Sequence, residues 1–267
     1  YAIYYWLVNV GGALGPLIAF FIRNHIGIEY VYMISAGCCG LMLLATLLFF
    51  REPAVQDLKI PSLKTQIRNL GLVLMNYRFM IFLLIFSLYW IMFWQIFIII
   101  PFYITDFISA DAPFEIIESM DAWAIILFQL LINYLTRRLS TPWAILIGFL
   151  VSTLGWLVIW LHPSLPVIIA GIVVFSFGEQ TQAPRYYEYV ADLAPAGQTA
   201  LFQGFSFLPV AIGWFLGGNI GGWIYQSYAK NAAQPGVVFG ILFGIGIAAT
   251  LLMGVYNFIL RRNHYGS

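Results

Sequence analysis

The sequence predicts an all-α polytopic membrane protein, a partial bundle of about eight transmembrane helices. Three observations carry that prediction. Hydrophobic residues make up 62% of the 267 positions and charged residues only 9%, more apolar surface than a soluble domain of this length can hide. The apolar residues fall into eight continuous runs, each long enough to cross about 30 Å of hydrocarbon. The runs lack the two-residue alternation of a membrane barrel, so their backbone groups must be satisfied within helices.

Residues 1–22 form the first run. Gly11, Gly12 and Gly15 precede Pro16 there; glycines four apart let a neighbouring helix approach, and proline bends a span. Asn9 sits mid-run. The second run, 30–50, holds Cys38 and Cys39 side by side, which read as small packing residues and supply no disulfide framework or metal site. The linker, 51–78, places apolar residues at 63, 67, 70 and 74 on one helical face beside Lys64 and Arg68. That pattern predicts a short amphipathic helix lying on the inner membrane surface.

The third run, 79–104, is rich in aromatics around Trp90, Phe93, Trp94 and Gln95. In the fourth, 121–139, Gln129 and Asn133 are four apart and share a face. The fifth, 143–161, opens at Trp143, an interfacial residue. The sixth, 166–189, contains Glu179. The seventh, 200–228, carries Gly213, Gly217 and Gly221 with Gly218 and Gly222, and the eighth, 236–260, carries Gly240 and Gly244. Residues 1–50 then read as the last two helices of one bundle, 51–78 as a linker, and 79–267 as a second, six-helix bundle with a short tail. Tyr1 already lies in an apolar stretch, so further N-terminal helices of the same protein are expected as partners.

Positive charge sets the orientation. Arg51, Lys59, Lys64, Arg68, Arg78, Arg137, Arg138, Arg185, Arg261 and Arg262 fall on one side, against Arg23 and Lys230 on the other. The richer side, with the linker and the C-terminus, is expected in the cytoplasm.

Glu179 is the candidate functional residue. In a helix over 166–189 it lies roughly 20 Å from the start, near mid-membrane. An unpaired carboxylate there costs about 2.5–3.5 kcal/mol on insertion scales. Such a group serves proton transfer or substrate binding, or else it is a structural partner for one buried polar neighbour. Gln182 and Tyr186 fall on the same face. Gln95, Gln129, Asn133 and Asn9 are read as further candidates for a wet cavity, with interhelical hydrogen bonds as the alternative for each. Arg185 belongs at the cytoplasmic mouth. His25, His162 and His264 share no ligand spacing, the adjacent Cys38 and Cys39 form no ligand motif, and there is no serine elbow, so an enzyme is not expected. Nor is a nucleic-acid partner.

Phe50-Arg51-Glu52-Pro53 and Leu135-Thr136-Arg137-Arg138, running on to Pro142, resemble the major facilitator superfamily, with this chain matching helices five to twelve. More specifically, three segments are similar to the proton-dependent oligopeptide transporter family: Tyr4-Tyr5 with Asn9 and Gly11, Gly178-Glu179 with Pro184, and Tyr189 through Pro195 with Gly204. Phe128-Gln129 with Asn133, and Trp90 with Trp94-Gln95, approximate its eighth and seventh helices. The resemblance implies a secondary active transporter of a small polar solute, most often di- and tripeptides, working by alternating access with the proton as coupling ion and no cofactor. It implies that Glu179 holds a peptide amino terminus and takes part in proton coupling, with Asn133 nearby. Gln129, Gln182, Gln95, Trp90, Asn9 and Tyr5 are implied to line the site. One departure stands out. Members commonly carry an acid near Trp94-Gln95, and none lies between Arg78 and Asp106. Alternative readings are a drug or metabolite exporter, or a receptor or assembly subunit on the same fold.

Overall fold

The computed structural model describes residues 2–51 and 62–264, apart from the side chains of 2–6, 66 and 260–264, and these residues form helices with no strand. Helices α1 (Ala2–His25) and α2 (Ile28–Phe49) make a hairpin through Gly27, whose φ of 141° suits only glycine. Among the described residues α2 packs chiefly on α1, and none of its own residues is buried. The linker helix is present as α3 (Leu63–Met75). Ser62 caps it, its hydroxyl accepting the Thr65 N–H at 3.3 Å. Leu63, Ile67, Leu70 and Leu74 leave its apolar face exposed. Lys59 lies outside the described residues.

The larger bundle comprises α4 (Tyr77–Phe93), α5 (Gln95–Phe107), α6 (Phe114–Glu118), α7 (Met120–Thr136), α8 (Thr141–Leu161) and α9 (Leu165–Leu193). It continues through α10 (Thr199–Phe205), α11 (Leu208–Ile224) with a π-helical extension Tyr225–Asn231, and α12 (Val237–His264). Three of its spans are broken. One breaks at Trp94 between α4 and α5, one at Ser119 between α6 and α7, and one at Ser206 and Phe207 between α10 and α11. The Tyr186 hydroxyl donates to the Ser206 carbonyl at 2.6 Å, which satisfies a backbone group that the last break frees.

Seven of the eight runs are long, apolar helical spans among the described residues. The fourth run is corrected. Its span is α6 plus α7, Phe114–Thr136, in place of 121–139. Glu115, Glu118 and Asp121 interrupt the apolar run in sequence, yet Glu115 and Asp121 are only 7% and 6% exposed. Their charges are accommodated by partners on other spans, which hydropathy along a single run does not register.

Packing follows the small residues. α8 lies along α9 with Gly148 opposite Gly178 and Gly155 opposite Gly171; a Cβ on Gly155 would sit 2.6 Å from the Gly171 carbonyl oxygen. Gly213 meets the Trp90 backbone and Gly221 meets Gln95, so the seventh-run glycines do seat α11 on α4 and α5. The first run behaves differently. Gly11 and Gly15 face open space, and only Gly12 faces a neighbour, where an added Cβ would sit 3.5 Å from Ala122 Cβ. α12 covers α8 and α4, and α1 rests on α6 and α7. At the centre, Tyr89 stacks on Phe149 at 4.8 Å, with Phe86 and Tyr186 beside them.

Candidate functional site

α9 spans 29 residues, about 43 Å at 1.5 Å per residue, so Glu179 falls near its middle. Ser176, three residues earlier, presents its hydroxyl to the Asp121 carboxylate on α7 and to the Ile172 carbonyl (2.9 Å). The Asp121 side chain also lies beside that of Glu179, within interaction reach. The α7–α9 interface thus brings two acidic side chains together, Asp121 and Glu179.

The pair is held in place by neutral polar groups. The Gln180 side-chain amide donates to the Ala124 carbonyl at 3.3 Å, fixing α9 against α7. Tyr89, buried on α4, has its hydroxyl 3.2 Å from Ser152 Oγ, and Ser152 donates to the Phe175 carbonyl at 3.0 Å. The Gln182 side chain lies beside Tyr89, and both carboxylates lie within electrostatic reach of that phenol. Glu179 and Gln182 therefore belong to one network, as expected from their spacing. Asp121, Ser176 and Tyr89 are additions. Nothing within its own run marks Asp121, because the groups that make it interior, Ser176 and Glu179, lie on α9.

The other candidates divide. Gln129 is half-buried and Asn133 exposed on α7. At about 100° per residue they lie roughly 80° and 120° around the helix from Asp121. Ala122, which faces Gly12 of α1, lies in the same direction. They therefore flank the α1–α7 contact, nearer the linker end of the span than the carboxylates. Asn9 is half-buried on α1, one turn beyond Gly12 toward that same end. Tyr5 is within α1, but its side chain lies outside those described. At the opposite end, Arg23 of α1 pairs with Glu115 of α6, one contact being 3.1 Å, and its guanidinium sits 5.0 Å over the Phe114 ring. Trp90 is half-buried against Phe93 and Trp94, with its indole N–H buried and unpaired among the described residues.

Gln95 departs from the cavity expectation. It is 0% exposed and its side-chain amide donates to the Ile91 carbonyl at 2.8 Å and the Gly217 carbonyl at 3.0 Å. It inserts into the helix ladder at the α4–α5 break and ties that break to α11. Gln95→Leu is therefore expected to lower the melting temperature of the purified protein, by the equivalent of about 1–2 kcal/mol for two hydrogen bonds. Solute KM is expected to stay at the wild-type value, and paired thermal melts and flux assays check both.

Broken spans packed through glycines around an interior carboxylate pair define a multi-pass helical membrane protein with a charged centre. The family model described as Major Facilitator Superfamily matches residues 105–266, more than half of the chain, and the chain belongs to that superfamily. It is 26% identical over 247 residues to the multidrug resistance protein MdtH of Klebsiella pneumoniae subsp. pneumoniae, and 26% identical over 249 residues to MdtH of Aeromonas hydrophila subsp. hydrophila. These matches cover 92% of this chain and 60% and 61% of those relatives, so the chain spans about three-fifths of their length. Among solved structures, a POT family transporter in complex with a thioalcohol-conjugated peptide superposes with a TM-score of 0.75 at 17% identity, over 96% of this chain and 68% of that one. The nucleoside transporter NupG gives 0.71 at 17% identity, over 93% and 65%. These likenesses establish the shared fold.

Proposed function

We propose that this chain is the major part of a proton-coupled carrier for a small, amine-bearing solute, working by alternating access with the linker and C-terminus in the cytoplasm. The observation that carries the reading is the placement of two interior acids, Asp121 on α7 and Glu179 on α9, side by side, with Asp121 held by the Ser176 hydroxyl. With one proton the pair bears one negative charge; without it, two, and an ammonium group is then the natural counter-ion. Proton and solute amine compete for the same site, which is the elementary requirement of coupling. The chain spans about three-fifths of the length of its MdtH relatives, and the rest of the carrier completes the pathway.

Two solute classes fit a carboxylate pair flanked by aromatic walls. The residues around Glu179 resemble those of oligopeptide transporters, which favours the amino terminus of a di- or tripeptide. The curated relatives are named for multidrug resistance, which favours an amphipathic organic amine. Proteoliposomes of the full-length protein under an imposed pH gradient separate the two. Movement of a labelled dipeptide, competed by other di- and tripeptides, supports the first; movement of a lipophilic amine insensitive to peptides supports the second. If flux of neither responds to the gradient, the carrier reading fails.

A further inference from the structure

Ser176 has one hydroxyl proton and two acceptors within reach. Its Oγ meets the Asp121 carboxylate on α7, and the Ile172 carbonyl, one turn back on its own helix, lies at 2.9 Å. A hydroxyl donates once, so only one of the two acceptors holds that proton at a time, while the oxygen remains free to accept. Charge decides between them. An ionised carboxylate holds a donor about twice as strongly as a neutral carbonyl does. While Asp121 is ionised, the serine proton therefore points to it. Once Asp121 is protonated, its own O–H donates to Ser176 Oγ, and the serine turns back to Ile172, the familiar bond of a serine inside a helix.

This exchange takes place in the interior. Ser176 is 0% exposed and Asp121 6%, and further helices of the same protein can only deepen that burial. A charge that changes here must be answered by a fixed side chain, since a polar group left without a partner at this depth bears its full desolvation cost. The ionisable groups around the contact come from four helices. Glu179 lies beside Asp121 from α9, and Tyr89 of α4 is within electrostatic reach. Glu118 of α6 stands three residues before Asp121, and α1 brings Arg23, already paired with Glu115. These groups set the background charge at the pair. Ser176 is the neutral donor in direct contact with it.

We propose that Ser176 is the positioning residue for the proton of the Asp121–Glu179 pair, its hydroxyl turning from Asp121 to the Ile172 carbonyl when the pair takes up a proton and back when the proton leaves. The step balances without a further reactant. One proton arrives on a carboxylate oxygen, the serine keeps its own, and only its O–H bond rotates. The inference rests on the carrier reading above and adds the group that makes both charge states tolerable inside the bundle. The ionised state holds the stronger bond. Removing the hydroxyl therefore harms that state more, and the pair then binds its proton more tightly.

Infrared difference spectroscopy of the full-length protein in lipid, titrated with pH, tests it. Wild type is expected to show a carboxylic-acid carbonyl band that is absent when Asp121→Asn and Glu179→Gln are combined. Ser176→Ala is expected to move the midpoint of that band upward by about one pH unit, a tenfold gain in proton affinity. The pH profile of solute exchange is expected to move the same way. Ser176→Thr keeps the hydroxyl and is expected to titrate at the wild-type midpoint. Thermal melts accompany each variant, because a loss of packing alone lowers the melting temperature without moving the midpoint. If the alanine variant does not fold, Ser176→Cys, whose S–H is a weak donor, is read in its place with the upward shift expected again. An unmoved midpoint overturns this inference and leaves the carrier reading standing. A wild-type protein without the band overturns it as well, whereas flux indifferent to an imposed pH gradient overturns the carrier reading beneath it.

Discussion

Glu179→Gln is expected to abolish proton-driven solute accumulation by the full-length protein in proteoliposomes while leaving it folded. Glutamine has the shape of glutamate, and its amide can donate to Asp121, so the contact between α7 and α9 survives. The proton is lost. One proton moved through 100 mV supplies about 2.3 kcal/mol, equivalent to about a fiftyfold solute gradient. The variant is expected to bring inside and outside concentrations to equality instead, with solute exchange between equal compartments persisting at a reduced rate. Asp121→Asn is expected to produce the same loss, and the double variant to be no worse than either single one, because a shared proton is removed only once. A variant that still accumulates solute at the wild-type ratio removes Glu179 from the coupling step. Loss in Glu179→Gln with full coupling in Asp121→Asn assigns the proton to Glu179 alone.

The spans were legible because the bilayer imposes a long apolar run on each, and the linker helix because its amphipathic period is local. Glu179 was legible for the complementary reason, a charge inside such a run. Asp121 was not. It stands at the edge of its run, and what makes it interior is Ser176 and Glu179 on another helix. Glu115 was hidden in the same way, since its partner Arg23 is 92 residues away. Gln95 shows the converse. An amide among aromatics looks the same in sequence whether it faces a cavity or a backbone, and here the deciding group is the Gly217 carbonyl, 122 residues on. Glycine spacing of four predicted the seat of α11. The tighter α8–α9 seam uses glycines seven apart on each helix, and their meaning lies in the pairing of two segments.

That seam carries the second large effect. Gly155→Leu is expected to prevent recovery of folded, monodisperse protein. A Cβ at this position lies 2.6 Å from the Gly171 carbonyl oxygen and 2.9 Å from the Phe175 amide nitrogen. Both obstacles are backbone, so no side-chain rotation relieves them and the helices must separate. Overpacking alone costs about 1–3 kcal/mol. Between helices in lipid, close packing is itself the main source of association, so separation forfeits it as well. The damage also reaches the carboxylates. Ser152 on α8 donates to the Phe175 carbonyl, and Phe175 is next to Ser176, which meets Asp121. Gly155→Ala, with the same Cβ and nothing beyond it, is expected to fold with a lowered melting temperature and weakened coupling. Gly244→Leu serves as the control, because a Cβ there meets nothing within 4 Å and wild-type behaviour is expected. Thermal melts and size-exclusion profiles in one detergent read all three. A Gly155→Leu protein that melts as wild type would mean that α8 and α9 have room to part, and the seam would then not be what holds Glu179 against Asp121.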